Sequence, residues 1–182
     1  MSKAYVFLAD GTEEIEALTV VDLLRRGKIE TKMVSVMPER TITGAHGIRI
    51  EADLLFEEED FRKGALLVLP GGMPGTTHLG NHEGLRRVLA EFFREGKYLA
   101  AICAAPSVLG ANGFLKGKRA TCYPGFEDSL TGAVLCTERV VRDGSIVTSR
   151  GLGTAIDFAL ELISLLQGEE MAERIARGIQ YR

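Results

Sequence analysis

Three short runs, KAYVFLA (3–9), ALLVLPGG (65–72) and YLAAIC (98–103), are apolar at nearly every position, and each stops at a turn of small or polar residues. A strand with one wet face alternates apolar and polar residues. A run that is apolar throughout belongs to a strand covered on both faces, as in a parallel sheet. Between the runs lie helical patterns. TEEIEALTVVDLLRR (12–26) carries apolar residues at Ile15, Leu18, Val21 and Leu23, with Thr12 placed as N-cap and Gly27 as the stop. HEGLRRVLAEFFREGK (82–97) is amphipathic, and GTAIDFALELISLLQG (153–168) and EEMAERIARGI follow as helices. ETKMVSVM (30–37) and RATCY (119–123) read as further strands, and APSVLGANG opens a helix. Two excursions are hairpin-like: RTITGAHGIRIEAD (40–53), and RVVRDGSIVTSR (139–150) with its Asp-Gly turn. The alternation predicts an α/β fold, a mostly parallel central sheet with helices on both faces, over one domain spanning residues 1–182.

Composition narrows the class. The 182 residues are 46% hydrophobic and 26% charged, with net charge −3 and scattered basic residues, which argues against a nucleic-acid partner. No stretch of about 18 apolar residues offers a membrane span, and the start, MSKAYVFLADGTEE, turns acidic too early for a signal peptide. Three cysteines without a CxxC pair argue against a disulfide framework or a cysteine zinc site and point to a reducing cytoplasm. The residues call for no metal and no cofactor.

In such a sheet ligands sit at the carboxyl ends of the strands. Three strand ends meet at one edge: Asp10 to Glu16, Pro70 to Pro74, and Cys103 to Pro106. Cys103 is either a buried thiol or a nucleophile at a strand-to-helix turn. Its small neighbours Ala100, Ala101, Ala104 and Ala105 suit the turn, and helix-start amides would favour its thiolate. LPGGMPG (69–75) is either a plain turn or a loop whose freed amides face an oxyanion; it lacks the lysine of a phosphate loop. Glu13, Glu14 and Glu16 suit a helix start, and Glu16 is spaced to turn inward, where burial would keep it protonated and able to bond the sulfur. His46 and His78 are candidates for a pocket wall; His82 has no such context. Cys122 and Tyr123 fall at another strand end, and Cys136 has no supporting context.

LADGTEEIEALTVVDLLRRGKI, LVLPGGMPGTTHL, LAAICAAPSVL and VTSRGLGTAIDFALELI together resemble the ThiJ/PfpI superfamily, within it the DJ-one branch, from residue 8 to about 163. The resemblance implies a flavodoxin-like, class I glutamine amidotransferase-like sandwich. It implies that Cys103 is the reactive cysteine, Glu16 its acidic partner, and the amides of Gly72 and Ala104 the oxyanion-type donors. Gly71 and the turn Gly151 to Thr154, with Gly153, would shape the pocket. Asp22 and Arg26 would lie near a homodimer contact. Tyr123 stands where the branch carries a histidine, so a Cys-His-Asp protease triad is not expected, and His46 replaces an arginine. The implied chemistry is that of a stress-response protein acting on a small reactive carbonyl, as a glutathione-independent glyoxalase or deglycase. The alternative is a redox sensor or chaperone meeting an oxidant. A peptidase, an amidase or a thiazole-phosphate biosynthesis role is a more distant expectation.

Overall fold

The backbone of the computed structural model, which describes residues 2–181, alternates as the apolar runs predict. The elements are β1 (Lys3–Leu8), α1 (Glu14–Arg26), β2 (Glu30–Ser35), β3 (Thr41–Thr43), β4 (Arg49–Glu51), β5 (Leu54–Leu55) and β6 (Leu66–Leu69). There follow α2 (Gly75–Asn81), α3 (Glu83–Arg94), β7 (Tyr98–Ile102), α4 (Pro106–Ala111), β8 (Arg119–Ala120) and β9 (Val134–Leu135). The chain closes with β10 (Val140–Asp143), β11 (Ile146–Ser149), α5 (Ala155–Gln167) and α6 (Glu169–Gly178).

Seven strands form one sheet in the order β10-β11-β7-β6-β1-β2-β5. All neighbours pair in parallel except β10, which turns back on β11 through Gly144 and Ser145, one residue later than the expected Asp-Gly turn, since Asp143 pairs with Ile146. Along β1 the pleat sends Ala4, Val6 and Leu8 into one core and Tyr5, Phe7 and Ala9 into the other. The first core is closed by α1, α5 and α6, the second by α2, α3 and α4. A strand with both faces covered needs no polar side chain, which is why these runs are unbroken. The β3–β4 hairpin stands apart from the sheet, with Ile42 paired to Ile50.

Three further expectations need correction. Of the expected stripe of α1, Val21 and Leu23 are buried, together with Ala17, Val20 and Leu24, whereas Ile15 and Leu18 are 45% and 36% exposed. Ile15 and Leu18 share the helical spacing, but packing against the sheet and α5 takes the neighbouring face. The segment 119–123 keeps only two strand residues, paired to β9 outside the main sheet. Thr12 is not the cap of α1: its Oγ1 accepts from Ala9 N at 3.0 Å, closing the turn after β1, and Glu13 caps the helix instead. Among the described residues, no helix is long and apolar enough to cross a membrane.

After β1 the chain runs outward through β2 to β5, then returns to place β6 on the other side of β1. The strand order therefore reverses between β1 and β6. Their carboxyl ends leave a crevice there, with β7 next to β6.

Candidate active site

Cys103 follows the last residue of β7 and has φ 66. This left-handed conformation is uncommon outside glycine and costs energy unless the surroundings hold it. Here they do. Cys103 N donates to Ser149 O at 3.0 Å, and Cys103 O accepts from Tyr123 N at 2.8 Å. Ala105 N then turns back to Ile102 O at 3.1 Å. Ala104 and Ala105 are buried where a larger side chain would collide with the turn. The result is a strand-to-helix elbow that presents the sulfur at the sheet edge.

The amides of Ala104 and Gly72 both hydrogen-bond the sulfur. Gly72 reaches it because φ 91 suits glycine. Gly71 is held by two bonds: its N donates to Glu16 Oε2 at 2.9 Å, and its O accepts from Glu13 N at 2.8 Å. A Cβ on Gly71 would stand 2.5 Å from Cys103 Cβ, 2.7 Å from Glu16 Oε2 and 3.0 Å from Cys103 Sγ. Only hydrogen fits between the thiol and the carboxyl.

Glu16 is 1% exposed and hydrogen-bonded to Cys103. The first turn of α1 aims it. Glu13, the N-cap, accepts from Glu16 N at 2.6 Å, so the helix begins with Glu16 facing the sheet edge. Burial pushes the Glu16 carboxyl up to about 7, against the pull of its bonds to Cys103 and to Gly71 N. Burial also pushes the Cys103 thiol up to about 12, reinforced by the adjacent Glu16 carboxylate and opposed by the amides of Ala104 and Gly72. The elbow amides favour the thiolate as expected, but lost solvent and the neighbouring carboxylate outweigh them, so the thiol is not acidic. Above about 7 the two groups share one proton. It rests on sulfur, facing a carboxylate, or on oxygen, facing a thiolate that two amides bond.

The rim is less uniform. A Cβ on Gly151 would lie 3.3 Å from Tyr123 Cδ2 and 3.7 Å from Glu16 Oε1, so Gly151 and half-exposed Tyr123 flank the carboxyl. Gly153 does not join them. It is exposed, with its O accepting from Arg139 Nη2 at 2.7 Å, because the turn after Ser149 faces outward by that point. His46 sits at the tip of the β3–β4 hairpin, exposed, with its ring Nδ1 2.9 Å from Glu14 Oε2. His78 lies in α2, and His82 caps α3 by accepting from Leu85 N at 3.0 Å while its ring packs tilted against Phe56. Cys122 is buried in the second core, where burial pushes its thiol up to about 11. All three cysteines are free. Asp22 and Arg26 pair with each other at 2.6 Å on the exposed face of α1.

Sequence reasoning undervalued Glu13 and Glu14. Glu14 is 1% exposed beneath the hairpin, where it accepts from His46 N at 2.7 Å and from Ile48 N. Burial pushes its carboxyl up, but the bonds from the His46 ring and from these amides more than offset that and hold it below the usual range. The same bond pushes the exposed His46 up. Glu13, Glu14 and His46 each offer a ligand atom within 4.8 Å of one another, but the Glu14 oxygens are already committed to the hairpin. The signal was present in the run of carboxylates: three in one helical turn exceed what a helix dipole needs.

A doubly covered parallel sheet with a cysteine elbow at its switch point defines an α/β protein of the class I glutamine amidotransferase-like fold. Within that class, the profile of the DJ-1/PfpI family matches residues 2–165, and the chain belongs to that family. It is 39% identical over 182 residues to Protein DJ-1 homolog B of Arabidopsis thaliana, covering 99% of this chain but only 42% of that protein. It is 35% identical to Protein dj-1beta of Drosophila melanogaster, covering 98% of this chain and 97% of that one. It is 30% identical to a protein of Caenorhabditis elegans named glutathione-independent glyoxalase DJR-1.2, covering 93% and 91%. Among solved structures, oxidized DJ-1 of Toxoplasma gondii superposes with TM-score 0.95 at 35% identity, over 99% of this chain and 98% of that one.

Proposed function

We propose that the chain is a cysteine-dependent enzyme acting on small reactive carbonyls, of the glutathione-independent glyoxalase type. The observation that carries this reading is the Cys103 elbow. Its sulfur faces the amides of Gly72 and Ala104 on one side and a buried carboxyl, Glu16, on the other. An addition to a carbonyl needs a nucleophile, donors for the new oxyanion and a group that holds a proton.

With methylglyoxal, the sulfur lone pair forms a C–S bond to the aldehyde carbon. The carbonyl π pair moves onto oxygen, which takes the proton shared by Cys103 and Glu16. Glu16, now a carboxylate, removes the hydrogen on that carbon as a proton; the C–H pair forms a C=C bond, the ketone π pair moves onto the second oxygen, and that oxygen takes up the hydroxyl proton of the first carbon. Return of the Glu16 proton to the second carbon draws the C=C pair back as the first oxygen re-forms its C=O bond, which gives a lactoyl thioester. Water then adds, the C–S bond breaks and the thiol recovers its proton. The net reaction is methylglyoxal plus water to lactate and a proton. A deglycase would use the same sulfur on a carbonyl adduct of an amine or thiol. The Caenorhabditis elegans relative is named a glutathione-independent glyoxalase, which supports this reading.

Lactate formation by the purified chain tests it. Wild type forms lactate from methylglyoxal, Cys103→Ser forms none, and Glu16→Gln forms none while its Cys103 still reacts with iodoacetamide. No turnover in wild type would refute the enzyme reading. The second reading is a redox sensor, favoured by the oxidized form in which the Toxoplasma gondii relative was solved. There peroxide would carry two oxygens to Cys103, giving a sulfinate bonded by Glu16 and the elbow amides and releasing two waters. The chain would work as a homodimer in the reducing cytoplasm, through the face of α1 that carries Asp22, Arg26, Ile15 and Leu18.

A further inference from the structure

The turn after β11 meets Glu16 at the oxygen that Gly71 N leaves free. Gly71 N donates to Oε2 at 2.9 Å, and a Cβ on Gly151 would lie 3.7 Å from Oε1. The next amide, that of Leu152, hydrogen-bonds the carboxyl. Glu16 is thus met by a backbone amide from each of two loops, besides the Cys103 sulfur. One buried side chain holds the second loop. Thr154 Oγ1 accepts from Gly151 N at 3.1 Å and lies 2.8 Å from Gly151 O and 2.7 Å from Ser149 Oγ. Thr154 N also donates to Gly151 O at 2.8 Å. Ser149 carries the elbow in turn. Its O accepts from Cys103 N at 3.0 Å, and its Oγ donates to Arg139 O at 2.7 Å. Ser149 and Thr154 therefore fix the backbone under the sulfur to the turn that bonds the carboxyl.

We infer that Thr154 is a positioning residue for the proton transfer: through the Gly151 turn it holds the Leu152 amide on Glu16, and that amide helps the carboxyl give up its proton. The inference rests on Glu16 exchanging a proton with Cys103, as proposed above. A backbone N–H bonded to a carboxyl favours the ionised form over the neutral one. Burial and the charge of Glu13 push the other way. The titratable groups that face Glu16 are Cys103 on β7, Glu13 at the start of its own helix and, across Gly151, Tyr123. With the Leu152 amide displaced, the carboxyl keeps its proton to a higher pH.

The test follows the rate of iodoacetamide labelling of Cys103 against pH in wild type, Thr154→Val, Thr154→Ser and Leu152→Pro. In wild type the rate rises through about 7, as Cys103 and Glu16 together give up their first proton. Thr154→Val keeps the volume and loses the hydroxyl, and its midpoint moves up by about one pH unit, as loss of one bond to a charged group predicts. Leu152→Pro has no amide hydrogen and moves the midpoint the same way, which decides the matter should Thr154→Val not fold. Thr154→Ser restores the hydroxyl and with it the wild-type midpoint. Labelling needs no substrate, so absent turnover of methylglyoxal would refute the enzyme reading and leave Thr154 to be judged on labelling alone. Where methylglyoxal is turned over, the acidic limb of kcat moves with the labelling midpoint and KM does not change. An unmoved midpoint in Leu152→Pro, a Thr154→Val that unfolds at lower urea with its midpoint unmoved, or a Thr154→Ser displaced as far as Thr154→Val would each overturn the inference.

Discussion

Glu16 is held protonated at a pH where a free glutamate is ionised, and this has a sign in stability. Its folded value, about 7, lies above the ordinary 4.5. The stability it contributes is therefore complete below about 4.5 and is lost as pH rises through about 7. The span of about 2.5 units corresponds to about 3 kcal/mol. Glu16→Gln, which cannot ionise, should unfold like wild type at pH 4 and at a higher urea concentration than wild type at pH 8. Equal midpoints at both pH values would show that Glu16 is not buried as a shared-proton partner. Gly71 makes a second prediction at this scale. Gly71→Ala places a methyl between Cys103 and Glu16, so iodoacetamide labelling of Cys103 should slow by about tenfold or more. Far-ultraviolet dichroism should be unchanged, because the crowding is confined to the sheet edge.

The first helix has two faces, and among the described residues only one is covered by the rest of the chain. Ala17, Val20, Val21 and Leu24 are buried, while Ile15 and Leu18 stand in solvent beside the Asp22–Arg26 pair. Scattered exposed apolar residues are ordinary, but two on one face beside a self-satisfied ion pair suit a copy of the same helix. Light scattering should return about twice the 19.8 kDa chain mass, and Leu18→Asp should return the mass of one chain. A monomeric wild type would remove the dimer. This helix also shows where the sequence is hard to read. The strands β1, β6 and β7 were legible because burial on both faces leaves no polar residue to interrupt them. In α1 two apolar stripes share the helical period, and nothing local says which faces the sheet. Cys103, Glu16 and the glycine turn were legible because each sits at a strand end next to small residues. The roles of Glu13 and Glu14 were not, because they depend on a hairpin some thirty residues away that docks over them. Nor was the thiol's raised affinity for its proton, which follows from burial beside Glu16 rather than from the local sequence.

On the scale of the whole molecule, the site is assembled from four separated stretches: residues 13–16 after β1, 71–72 after β6, 103–104 after β7, and 151 after β11. No two of these are neighbours in the chain, and no one of them holds both the sulfur and its carboxyl. The arrangement exists only while β1, β6, β7 and β11 are paired in register. The chemical character of Cys103 is thus a property of the folded sheet, and an unfolded chain has only an ordinary thiol. Cys103 is consequently a built-in gauge of folding. Its labelling rate, followed through a urea titration, should pass from its native value to that of a free cysteine in one step, at the midpoint seen by dichroism. A labelling transition at lower urea would instead mark a corner that opens before the sheet does.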